Sequence, residues 1–149
     1  MGRASAHTFS PEVLVDLRRS AGLSQVDLAR QVGVGTASLR AWERGRKIPQ
    51  ADALGRVADV LSAALDVTVT VADLVDIPDS GRTLADWRVL RALTQAEAAR
   101  RAGISTSHYG GLERGDNEVS DHTAELLAAA LSIEPTDALA AAKQTKLSK

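Results

Sequence analysis

Residues 23–45 read LSQVDLARQVGVGTASLRAWERG, and residues 93–115, a shift of 70, read LTQAEAARRAGISTSHYGGLERG. Extended back to Arg18 and Arg88, the two stretches superpose without a gap over 28 positions, 10 of them identical. The identical pairs are Arg18/Arg88, Leu23/Leu93, Gln25/Gln95, Ala29/Ala99, Arg30/Arg100, Gly33/Gly103, Thr36/Thr106, Glu43/Glu113, Arg44/Arg114 and Gly45/Gly115. Ser24/Thr94, Asp27/Glu97 and Val34/Ile104 are near matches. Alanine richness alone would not bring glycines, a glutamine and a Glu-Arg-Gly triplet into one register, so the chain is a tandem repeat.

Each copy carries the punctuation of a short helical bundle. Ser10-Pro11-Glu12 supplies a capping residue, a proline at the first helical position and an acidic residue in the first turn. Val13, Leu14 and Leu17 then share a face, and Gly22 stops the helix. Ser24 and Asp27 have the side chains of a capping box, of which Thr94 and Glu97 are the stronger version. Leu28, Ala29 and Val32 form the stripe of a second helix that ends at Gly33. The spacing predicts a third helix from about Thr36 to Arg44, with Leu39 and Trp42 inward and Gly45 as its stop, and its counterpart starts near Thr106. Leu54, Val57, Ala58 and Leu61 mark a further helix, as do Ala124, Leu127, Ala128 and Leu131.

Two readings fit the segment after Leu61. Val67, Val69 and Val71 alternate with Thr68 and Thr70 as in a short strand with an open edge, or Thr70 caps a small helix through Leu74. Ile77-Pro78-Asp79-Ser80-Gly81 has linker composition. The expected fold is all-α, two helix-turn-helix bundles of about five helices each in tandem. The first domain takes residues 8–77, a linker 78–81, the second domain 82–141 and a polar, solvated tail 142–149.

The first copy reads Leu23-Ser24-Gln25, Leu28-Ala29, Gly33-Val34, then Trp42-Glu43-Arg44-Gly45 and Pro49. This pattern resembles the phage repressor/Cro family, often called XRE-like. The likeness covers most of residues 11–75 and 82–140. The second copy departs from it with Ala98, Leu112 and Val119 where the first has Leu28, Trp42 and Pro49. The resemblance implies lambda-repressor-like bundles in a sequence-specific double-stranded DNA-binding transcriptional regulator, more a repressor than an activator. It also implies that Gln25 and Gln95 hold phosphate, and that Arg18 with Glu43 and Arg88 with Glu113 form largely buried structural ion pairs.

A third helix that enters the major groove turns its N-terminal residues to base edges. In the first copy these are Thr36, Ala37, Ser38 and Arg40, with Ala41 at the rim. Arg40 is the best reader, because a guanidinium bonds a guanine edge bidentately. Ser38 suits a base or a phosphate, and Ala37 a thymine methyl. Arg46 and Lys47 follow in a loop that approaches the DNA backbone, and residues 30–47 carry a local charge of +4. The second copy offers Gln95, Thr106, Ser107 and His108, with Arg100 and Arg101 nearby. However, Gly110 and Gly111 replace Arg40 and Ala41, and Asp116-Asn117-Glu118 replaces Arg46-Lys47-Ile48. The second domain is therefore either a weaker DNA contact or a surface for a protein partner or for dimerisation. A tandem chain acts as a homodimer or as a single-molecule pseudo-dimer.

Composition bounds the rest. Net charge is −1, so any basic surface is local. Hydrophobic residues make up 44% and aromatics only 3%, which suits close-packed helices and leaves no stacking platform for single-stranded nucleic acid. With no cysteine there is no disulfide and no thiolate zinc site. No apolar run approaches the roughly 20 residues of a membrane span, and Met1-Gly2 lacks the Ser or Thr of a myristoylation motif at Ala6. A cytoplasmic, nucleoid-associated protein is expected. His7, His108 and His122 have no ligand spacing, and Gly33-Val34-Gly35 lacks the strand and third glycine of a nucleotide loop. Neither an enzyme nor a bound metal or cofactor is expected.

Overall fold

The computed structural model describes residues 8–148. Met1, Gly2, Ala6 and His7, and Lys149 at the end of the expected tail, lie outside the described residues. The described chain divides into two compact units, Thr8–Asp76 and the stretch from Ile77 onward. Each holds five of the helices found among the described residues.

The first unit consists of β1 (Thr8–Phe9), α1 (Pro11–Ser20), α2 (Gln25–Val32), α3 (Thr36–Glu43), α4 (Ala51–Leu65), α5 (Val71–Leu74) and β2 (Val75–Asp76). Pro11 opens α1 with its ring already set for the helix, and Gly22 at φ 71° lets the chain turn after Ala21. Ser24 Oγ accepts from the Asp27 amide at 3.0 Å to start α2. Leu14, Leu28, Leu39, Leu54, Leu61 and Leu74 are each nearly fully buried and form the centre of the unit. Each leucine so buried stabilises the fold by about 1.5–3 kcal/mol.

Of the two readings for the segment after Leu61, the helical one holds. The Thr70 amide donates to Asp73 Oδ2 at 2.8 Å and caps α5. Val69 lies in no strand: its amide donates to Ser62 Oγ at 2.8 Å, and its carbonyl accepts from the same hydroxyl at 3.0 Å. One side chain on α4 thus satisfies backbone groups that a strand neighbour would otherwise take. The strand pairing lies elsewhere. β1 and β2 are antiparallel with Phe9 opposite Val75, both buried, so a two-residue ladder ties the start of the unit to its end.

The second unit runs α6 (Leu84–Leu90), α7 (Gln95–Ala102), α8 (Thr106–Arg114), α9 (Asp121–Leu131) and α10 (Pro135–Leu147). Thr94 and Glu97 close both halves of a capping box, at 3.1 and 2.8 Å, where Ser24 makes one. Leu84, Leu112, Leu127 and Leu131 form its core with Tyr109. Ala92, at the position of Gly22, holds a positive φ of 60°.

Of the expected tail, residues 142–148 are not a free solvated segment. α10 continues to Leu147, with Ala138, Ala141 and Thr145 on its buried face. Thr145 Oγ1 accepts from the Leu84 amide at 3.1 Å and donates to the Ala141 carbonyl at 2.8 Å. Small residues at this spacing make a narrow inward stripe, and the exposed Lys143 and Lys146 lie outside it. Residues 78–81 belong to the second unit: Arg82 Nε donates to the Pro78 carbonyl at 2.7 Å, and its guanidinium lies 4.6 Å from the centre of the Trp87 ring.

Candidate nucleic-acid interface

One αL glycine shapes the turn in each domain. Gly33, at φ 85°, ends α2 by donating to the Ala29 carbonyl at 2.9 Å, and Gly103, at φ 75°, ends α7 in the same way. A left-handed residue here turns the chain straight into the next helix without leaving the last carbonyls open. α3 and α8 then begin at Thr36 and Thr106. Ser105 Oγ caps α8 by accepting from the His108 amide at 3.0 Å. Leu39 and Trp42 seat α3, and Tyr109 and Leu112 seat α8.

This seating decides what α3 presents. Ala37 and Arg40 are exposed, while Thr36, Ser38 and Ala41 are half-buried at the edges of the same face. Arg46 and Lys47 are exposed immediately after the helix, where the Arg46 amide bonds the Ala41 carbonyl at 2.9 Å and keeps the loop against the end of α3. Thr106, Ser107 and His108 are all exposed at the start of α8.

Behind α3 a chain of polar contacts runs through the first unit. Arg18 on α1 donates to Glu43 through Nε at 2.6 Å and Nη2 at 3.0 Å, and through Nη1 to the Leu23 carbonyl at 3.0 Å. Both partners are nearly buried, with side chains 11% and 6% exposed. Burial alone would raise the Glu43 carboxyl, but the hydrogen bonds from Arg18 and Gln25 and the Arg18 charge outweigh it and hold the group below its ordinary value. Gln25 Nε2 donates to Glu43 Oε1 at 2.9 Å, and Gln25 Oε1 accepts from Arg40 Nε at 3.3 Å. The amide of Gln25 thereby joins the buried ion pair to the exposed arginine on α3. It is engaged on both sides, and of the two Nε2 hydrogens the one not given to Glu43 is the donor left for a phosphate.

The second unit repeats the buried part of this chain and alters the exposed part. Arg88 Nε lies 2.5 Å from Glu113 Oε2, Arg88 Nη1 bonds the Leu93 carbonyl at 2.9 Å, and Gln95 Nε2 donates to Glu113 Oε1 at 2.9 Å. Burial would lower Arg88, but the Glu113 hydrogen bond and charge hold it above its ordinary value. Tyr109, where the first unit has Leu39, is fully buried beside this pair, and burial together with the Glu113 charge pushes its phenol up.

The glycine step of α8 is covered, not bare. A Cβ on Gly110 would sit 3.2 Å from Arg114 Nη1 and 3.7 Å from Gln95 Oε1, and one on Gly111 would sit 2.8 Å from Asn117 Nδ2. Arg114 therefore lies back along its own helix, with its Nε bonded to Asp116 at 2.9 Å. Asp116, Asn117 and Glu118 are exposed, and Glu118 is paired with Lys146 of α10. Sequence reasoning missed two features here, the Gln25–Arg40 bond and the position of Arg114. A signal for the second existed, since Gly110 stands four residues before Arg114, one helical turn back.

Among the described residues no helix is long and apolar enough to cross a membrane, and no group of three or more His, Asp or Glu could hold a metal ion. The Helix-turn-helix family model matches residues 14–67 and again residues 84–137, together more than half of the chain. No curated protein matches it. With two seated recognition-type helices and this double match, the chain belongs to the XRE/Cro-like helix-turn-helix family, carries its domain twice, and is a DNA-binding regulator of that type.

Proposed function

We propose that the protein is a sequence-specific double-stranded DNA-binding repressor whose principal reader is the first domain, residues 8–77. The observation that carries this reading is the state of Arg40. It is exposed on α3 and anchored through Nε to Gln25, so Nη1 and Nη2 are left to donate to a guanine edge. An anchored guanidinium loses less rotamer freedom on binding than a free one. Ala37 and Ser38 flank it toward the bases, Thr36 stands at the helix start, and Arg46 and Lys47 hold the DNA backbone. Phosphate contacts of that kind position the domain, and the base contacts specify the site.

Repression needs only that the protein occupy an operator. One chain with two domains acts as a pseudo-dimer on an asymmetric site, and its second domain gains from the tether whatever its own affinity. The exposed acidic residues Asp116 and Glu118 favour a second reading for residues 82–141, namely contact with a protein partner or a second copy of the chain.

Competition binding of the full chain to a selected duplex against random duplex tests the reading. Preference for the selected site by about 1,000-fold or more is expected at physiological salt. Equal affinity for both would overturn sequence specificity. With the site placed over a promoter in purified transcription, output falls; a rise would overturn repression.

A further inference from the structure

In the first unit the space beside Gln25 Oε1 is occupied by the Arg40 side chain, whose Nε lies 3.3 Å from that oxygen. The second unit has glycine at the matching position, yet the matching space is not empty. The point a Gly110 Cβ would take is 3.7 Å from Gln95 Oε1 and 3.2 Å from Arg114 Nη1. A guanidinium therefore stands on the side of the matching glutamine, Gln95, supplied from one turn further along the helix. Helical side chains lean toward the N-terminus, so a residue at i+4 covers the surface over position i. Glycine at both Gly110 and Gly111 leaves the groove along which Arg114 lies.

We propose that Arg114 is the groove-facing cation of the second domain, taking in space the place Arg40 holds in the first. The inference rests on the reading of α3 and α8 as DNA-facing helices. Arg114 and Asp116 are both exposed, with side chains 65% and 44% accessible, so the contact is readily exchanged for a base or phosphate. The glycines, costly in a helix interior, are what let a single arginine reach back. The second domain thereby keeps a recognition cation, although it loses the basic loop of Arg46 and Lys47.

The test uses the full chain on its selected duplex and on single-base variants, with helix content and melting checked for every protein. Arg114→Ala should lower affinity by about 5- to 150-fold, the range for one base-directed arginine. Installing Gly110→Arg in the Arg114→Ala background should restore most of that loss, because a side chain rooted at position 110 reaches the same place directly. Asp116→Asn alone should tighten binding, since it releases the guanidinium and removes a carboxylate. Arg40→Ala serves as the control for the underlying reading. If Arg40→Ala weakens binding and Arg114→Ala leaves every duplex within about twofold, the role of Arg114 is refuted while the DNA-facing reading of α3 stands. If neither substitution changes binding, both fall together. A loss in Arg114→Ala that Gly110→Arg fails to recover would also overturn the claim that the two guanidiniums share one place.

Discussion

Replacing Glu43 with glutamine keeps the shape of the side chain and removes its charge, leaving the Arg18 guanidinium 11% exposed beside a neutral amide. Breaking a buried ion pair from one side costs about 3–5 kcal/mol, and because glutamine still offers one acceptor the lower end, about 3 kcal/mol, applies. In a domain of this size each kcal/mol moves the melting temperature by about 4–8 °C, so a fall of about 12–24 °C is expected for the first unit. The exposed pair Arg30–Asp27 is the contrast. Its side chains are 70% and 42% exposed, so Asp27→Asn should cost less than about 1 kcal/mol. Calorimetry of the full chain at neutral pH, with both variants beside the wild type, reads the difference. The pH dependence supplies a second check. Glu43 is held below its ordinary value of 4.5, so its contribution is present above that pH and is lost as pH falls through the lower folded value. The gap between wild type and Glu43→Gln should therefore close in acid. A neutral-pH shift below about 3 °C would refute the stability argument, and a gap that persists unchanged in acid would refute its electrostatic basis.

Three further outcomes follow from the same geometry. Lys47→Ala should weaken binding about equally on every duplex and reduce the slope of log affinity against log salt by about 1, as measured by titration at several salt concentrations. Ala92 holds a positive φ of 60° that alanine adopts at a cost, so Ala92→Gly should raise the stability of the second unit by about 0.5–1 kcal/mol in thermal or denaturant unfolding. Thr145→Val keeps the volume but takes the acceptor from the buried Leu84 amide, and should cost about 1–3 kcal/mol in the same unfolding measurement, with DNA contacts of α3 unaffected.

What the sequence made legible was whatever is set by near neighbours. Ser24, Gly33, Thr94 and Gly103 act within one helical turn of where they stand, so the helix starts and stops followed directly from residue type. The 70-residue register doubled each of those signals. What escaped it depends on how separate elements meet. Thr145 looks like part of a polar tail until α6 supplies an amide for its hydroxyl, and Val69 fits a strand until Ser62 is seen to satisfy its backbone. The same holds for the DNA-facing side. The face of α3 follows from Leu39 and Trp42 pointing inward, whereas the Gln25–Arg40 bond requires the relative placement of α2 and α3. The glycine pair misled most, because a missing side chain at 110 was read without the arginine four residues on that covers it.

Selection from randomised duplexes, run in parallel with the wild-type chain and Arg40→Ala, tests most directly whether α3 reads base sequence. The wild type should enrich one motif that contains an invariant guanine. Arg40→Ala should enrich the same motif with that single position degenerate, at an affinity cost of about 1–3 kcal/mol. Enrichment of no motif by the wild type, or of an identical motif by both proteins, would contradict the account.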